Sequence, residues 1–234
     1  MITDDDVLGD AVRNNAEWCQ VMCRAHGLTG TFGPRAWTSA ARTPLYYPDA
    51  VALTADADVE DFLGTIDRTT PGASVKDSFA RFDLAEAGFT MLFEASWIAR
   101  PAGLPAPAAP GDWRPVRTPA ELAAWALAWS GDDEDDAALF RPELLADPAT
   151  TIVAGYGADG RILGGAVLSA SARVTGVSNL FATGDTDPSF VWAGALASAP
   201  ADRPVVGYES GDDLAPARAA GFEPIAPLRV WLDG

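Results

Sequence analysis

The sequence has 234 residues, 48% hydrophobic and 21% charged, a globular balance that allows one large domain or two of about 100 to 120 residues. Its net charge of −17 is shared evenly, with 8 Lys+Arg against 16 Asp+Glu in residues 1–112 and 8 against 17 in residues 113–234. An acidic body of this kind repels nucleic acid and anionic lipid and favours a small cationic ligand. Two cysteines make no disulfide framework, Thr3-Asp4-Asp5-Asp6 is the opposite of a basic signal-peptide start, and no apolar run nears the roughly 20 residues of a membrane helix. A cytoplasmic protein is expected.

In chain order, an amphipathic helix is predicted over residues 10–26, with Val12, Ala16, Cys19, Met22, Cys23 and His26 on one stripe and Gly27 as its stop. A turn-rich loop with Trp37 follows. Then come a strand near 49–54, a short helix near 59–67 and a strand at 74–79. The alternation from Phe89 to Trp97 reads as a strand with one buried face. Four prolines between Pro101 and Pro110 mark a stiff linker, so the expected division is 1–100, a linker at 101–112, and 113–234.

The second half begins with a strand at 113–116. Thr118, Pro119 and Glu121 form a capping box with proline at the first helical position, and Leu122, Trp125 and Trp129 follow at helical spacing. Asp132–Asp136 reads as an acidic loop and 142–146 as a short helix. Strands at 151–156 and 161–169 are joined by the hairpin signal Gly157-Ala-Asp-Gly160, and 173–181 is the next antiparallel strand. Asp187-Pro188 opens a helix to about Ala199; a strand at 204–208, a helix at 214–220 stopped by Gly221, and strands at 222–226 and 228–232 complete the order.

This order, and above all the tail Asp213-Leu-Ala through Gly221-Phe222 with its closing strand pair, resembles the GNAT acyltransferases. The resemblance implies an α/β (α+β) fold, a mixed and mostly antiparallel sheet flanked by helices. A fainter echo, Asp83-Leu-Ala through Gly88-Phe89, points to two GNAT-like halves. It also implies an acyl-CoA donor held near Phe181, Ala182, Gly184 and Ser189, and a reaction centre near Tyr208 and Glu209. The acceptor, a small cationic amine, would lie by Trp125, Trp129, Asp132, Asp133 and Glu134.

The chain departs from that pattern where the family's glycine-rich loop should point N–H groups at a pyrophosphate. Gly184 to Trp192 contains Asp185, Asp187 and Pro188 instead, and the tyrosine expected four residues before Gly221 is Ala217. A catalytically inactive binding module is therefore the rival to an acyltransferase. Elsewhere, Cys19, Cys23 and His26 suit a metal by residue type but share a packing stripe, so no metal is expected. Lys76-Asp77 is read as an ion pair tying the halves together. The loop at Gly184–Trp192 predicts acetyl-CoA binding with Kd on the order of 0.1 mM or weaker. Titration calorimetry checks this, and micromolar binding would mean that a distant arginine, such as Arg114 or Arg218, folds into the site.

Overall fold

The computed structural model describes residues 4–109 and 111–234, which form two compact units. One runs up to Trp97 and takes in Ile225–Gly234; the other is Ile98–Pro224. The chain begins with α1 (Asp4–Ala25), β1 (Gly30–Phe32), β2 (Ala36–Ser39), β3 (Ala50–Ala52), α2 (Glu60–Leu63), β4 (Ser74–Asp77) and β5 (Phe89–Arg100). It continues with β6 (Asp112–Pro115), α3 (Pro119–Ser130), α4 (Glu134–Ala137), β7 (Thr150–Tyr156), β8 (Ile162–Ala170) and β9 (Thr175–Ala182). The last elements are α5 (Pro188–Ser198), β10 (Val205–Glu209), α6 (Leu214–Ala219) and β11 (Glu223–Asp233).

In the first unit the strand order is β1-β2-β3-β4-β11, and of these pairs only β3–β4 is parallel. The stripe of α1 is core: Val12, Ala16, Cys19, Met22 and Cys23 are buried. Burial pushes the Cys19 thiol up to about 11 and that of Cys23 to about 12, so neither is poised as a thiolate. Among the described residues no group of three or more His, Cys, Asp or Glu is placed to hold a metal ion. Lys76 donates to Asn15 Oδ1 at 2.8 Å, and the Asp77 carboxylate accepts from the N–H of Phe82 at 2.8 Å, two bonds within the first unit.

The expected loop around Trp37 is instead the β1–β2 hairpin. Its strands are too short to show alternation, and Trp37 is held by an indole N–H bond to Gln20 Oε1 at 2.8 Å. The two strands expected at the C-terminus are one, β11. Pro224 and Pro227 lie before its ladder with β4, which starts at Arg229, so neither proline removes a rung of that ladder.

In the second unit β10 and β9 are parallel and β9, β8, β7 and β6 antiparallel, a mixed, mostly antiparallel sheet with the end of β5 beside β10. The capping box forms as read: Glu121 N–H donates to Thr118 Oγ1 at 3.2 Å and Thr118 N–H to Glu121 Oε2 at 3.0 Å. A Cβ on Gly165 would meet Trp125 of α3, and one on Gly164 would meet Val191 of α5. Successive strand residues face opposite ways, so the two helices cover opposite faces of the sheet. Residues 101–108 are exposed and contain neither helix nor strand. Gly103 N–H bonds Ala201 O, and the Arg100 guanidinium bonds the carbonyls of Leu104 and Pro105, which ties this segment into the second unit. The division read at the prolines thus differs from the observed one, which passes through β5 and β11 because the last strand returns to the first unit.

The joint Gly221-Phe222 and its echo Gly88-Phe89 share a backbone device: both glycines are left-handed, at φ 93° and 91°, and both phenylalanines are buried. The echoing helix, however, is only a 3-10 turn at Ala85–Ala87. Close approach governs Gly194 of α5, where a Cβ would overlap the indole of Trp113. Replacing glycine by alanine in a helix ordinarily stabilises by about 1 kcal/mol. Gly194→Ala is expected to destabilise by about 1–3 kcal/mol because of overpacking. Urea denaturation measures this, and an unchanged or raised midpoint would contradict the packing.

Candidate active site

The central feature of the second unit is a defect in β9. Val167 of β8 faces Ser178, yet Gly165 faces Phe181, so two steps along β8 span three along β9. The additional residue lies by Asn179, whose φ of 50° is left-handed. A bulge of this kind bends its strand and sharpens the twist. On its other edge β9 pairs with β10 only at Thr175↔Val205 and Gly176↔Val206, although the strands run on to Ala182 and Glu209. The bent β9 therefore parts from β10, leaving a wedge that opens towards the C-terminal ends of both strands. Near its apex a Cβ on Gly207 would stand 3.0 Å from Val177 O, which shows how closely the strands approach before parting.

Glu209 ends β10 at this opening. Burial raises its carboxyl from the ordinary 4.5 to about 8, and the charge of Asp213 adds to the effect. Tyr208 precedes it and is likewise partly buried; strand alternation sends the two side chains to opposite faces, so they do not converge.

Beyond β9 the chain enters α5, whose start fails as an anion site. Asp187 Oδ1 accepts the Ser189 N–H at 2.8 Å, and this bond holds the Asp187 carboxyl below its usual range. Pro188 has no N–H to offer. A pyrophosphate here would meet a carboxylate on the donor it needs, so the residues at this helix start do not fit one.

On the α3 face of the sheet lies a groove of about 910 Å³. Trp129, Asp132, Ala182 and Gly184 line it, so the structure unites part of the expected acceptor set with part of the expected donor set. Trp125 is corrected from a ligand contact to a core anchor: it is fully buried, donates to Val153 O at 3.0 Å and meets Phe140 and Phe181 edge-on. Phe181, partly buried, is its packing partner. Asp133 and Glu134 do not line the groove either. Most of the expected acidic loop is the one-turn helix α4, for which Asp133 is the cap, accepting the N–H groups of Asp135 and Asp136 at 2.9 and 3.1 Å.

Sequence reasoning left out Arg161 and Tyr156 and held Arg114 only as a contingency; all three line the groove. The Arg114 guanidinium lies 4.2 Å from the Tyr156 ring centroid. The pairing of Asp112 with Tyr156 and of Arg114 with Ala154 creates that contact, and no local signal carries such a register.

No protein-family model matches the sequence, and no curated protein matches it. Solved structures do. A GCN5-related N-acetyltransferase from Kribbella flavida matches over 95% of both chains with a TM-score of 0.63 and 21% identity. A functionally unknown conserved protein from Staphylococcus epidermidis ATCC 12228 matches at 0.61 and 11% identity, over 87% of this chain and 92% of its own. A putative GNAT-family acetyltransferase from Novosphingobium aromaticivorans DSM 12444 matches at 0.54 and 11%, over 92% and 94%. The chain therefore has the fold of the GCN5-related N-acetyltransferases, as the order of its elements implies.

The raised carboxyl has a thermodynamic signature. Between pH 4.5 and about 8 folded Glu209 keeps a proton that the unfolded chain has lost, so its contribution to stability falls as pH rises through that window. Glu209→Gln lacks this penalty. Relative to wild type its Tm is expected to be similar near pH 4.5 and higher by a few degrees at pH 9. A difference that does not change with pH would show that Glu209 is not desolvated.

Proposed function

We propose that the Ile98–Pro224 unit is an acyltransferase that passes an acyl group from a thioester to an amine, with Glu209 as the general base. The observation that carries this reading is the wedge between β9 and β10 with a carboxyl of raised pKa at its mouth. An amine attacks a carbonyl only after losing its extra proton. A carboxyl titrating near 8 is matched to that task, whereas an ordinary one is too weak a base. When bound, a thioester would supply the electrophilic carbonyl and a thiolate leaving group. Glu209 takes the proton of the attacking nitrogen, and the acidic surface attracts a small cationic acceptor.

One observation favours a second reading, a module that binds without turnover. The Asp187 carboxylate already occupies the Ser189 N–H, and Pro188 withholds another donor, so a nucleotide-bearing thioester gains little there. Thiol release from acetyl-CoA in the presence of a polyamine separates the two. For the enzyme reading, kcat/KM should rise with pH through about 8. Glu209→Gln should lower it by about 100-fold and remove that rise. Turnover of the variant equal to wild type would dismiss Glu209 as the base, and no thiol release by the wild type would favour the binding module.

A further inference from the structure

The groove beside α3 carries charges of both signs, and they are not equally committed. Glu121 accepts the N–H groups of Arg117 and Thr118 at 2.9 and 3.0 Å, and these bonds hold its carboxyl below the usual range. Arg114 lies over Tyr156, with Asp112 at 3.7 Å. The side chains of Arg161 and Asp132 form no ion pair among the described residues, yet both line the groove. Much of the remaining wall is apolar, including Ala124, Leu127, Ala128 and Ile162.

Each of the two is presented by a local device. Asp132 follows the α3 stop, where Gly131 and Asp132 are left-handed in succession at φ 67° and 71° and Asp132 N–H bonds Leu127 O at 2.9 Å. Arg161 sits at the β7–β8 turn, its N–H bonded to Asp159 Oδ1 at 3.1 Å. A polycation matches Asp132 but meets Arg114 and Arg161; a simple anion matches the arginines but meets Asp132. A ligand with one charge of each sign and a small apolar body satisfies both ends. At about 910 Å³ the groove has the volume of a small-molecule site.

We propose that this groove binds a zwitterion of amino-acid or short-peptide chemistry, its carboxylate on the Arg161 guanidinium and its ammonium on the Asp132 carboxylate. Guanidinium and carboxylate match in planar, two-bond geometry, which gives the orientation. Ala124, Leu127, Ala128 and Ile162 form the floor for the body between the charged ends. The groove shares Trp129, Asp132, Ala182 and Gly184 with the acceptor and donor sets that the family resemblance implies, but occupying it needs no thioester and no proton transfer at Glu209.

The test is an NMR-detected titration of the full chain with alanine oligomers of one to four residues, each also as its C-terminal amide and its N-acetyl form. One length is expected to bind best, which separates an amino acid from a short peptide. Amidating or acetylating that oligomer should each weaken binding about tenfold or more. Arg161→Ala should abolish the loss on amidation while keeping the loss on acetylation, and Asp132→Asn should do the converse. Both positions are exposed, and the same spectra report whether each variant is folded. Equal binding of parent, amide and acetyl forms would overturn the proposal, as would no binding of any oligomer at about 10 mM or an amidation loss that survives Arg161→Ala. Displacement of the bound oligomer by adenosine 3′,5′-bisphosphate would assign Arg161 to a nucleotide phosphate and equally overturn it. These outcomes do not depend on catalysis, so a failed acyl-transfer assay leaves them standing.

Discussion

The left-handed turn of the backbone at Asn179 is the constraint from which the site follows. A regular β9 would continue its parallel ladder with β10 to the strand ends, and the edge groups of Tyr208 and Glu209 would be spent on pairing. With one extra residue inserted, the ladder stops after two pairs and the strand ends separate. The deformation has costs: a left-handed conformation for a residue other than glycine costs roughly 1–2 kcal/mol, less for asparagine. The buried hydroxyls of Thr175 and Ser178 on the same strand have no hydrogen-bond partner among the described residues. Strain and unpaired polar groups persist where the surrounding packing holds them, here the core of Val153, Leu168, Val177, Trp192 and Phe222.

That packing is rigid because indoles fill places where glycines have no side chain. Trp113 occupies the space that Cβ atoms on Gly155 and Gly194 would need, Trp125 that of Gly165, and Trp37 that of Gly30. Each glycine weakens its own helix or strand, by up to about 1 kcal/mol. The indole that enters the vacated volume returns more than that through burial. The second unit thus holds the sheet between α3 and α5 by two tryptophans from opposite faces. Of the two, Trp125 also meets Phe181 of the bent β9 edge-on.

Features set by neighbours in sequence were legible. The Thr118 capping box, the Asp187-Pro188 helix start and the left-handed Gly221 stop each depend on residues within four positions and formed as read. The bulge was not legible, because Ser178-Asn179-Leu180 carries no glycine to announce a left-handed residue. The groove was not legible either. Its arginines come from β6 and from the β7–β8 turn, brought beside α3 by ladder register. The role read for Trp125 failed for a related reason: helical spacing identifies the inner face but cannot tell a core wall from a ligand wall.

Asp187 joins the legible part to the chemistry of the α5 start. As a helix cap it is among the best residues available, and its bond to Ser189 N–H secures the first turn of α5. The same bond consumes a donor that an anion would use, and its charge stands where the dipole would otherwise attract one. Capping by a side chain and binding by a phosphate are alternative ways to satisfy one set of N–H groups. A chain that makes the cap permanent gains fold stability and gives up anion affinity at that end. Any anion affinity would then come from elsewhere in the unit. Arg161 of the α3 groove is placed by the β7–β8 turn, forms no ion pair among the described residues and does not depend on the α5 start.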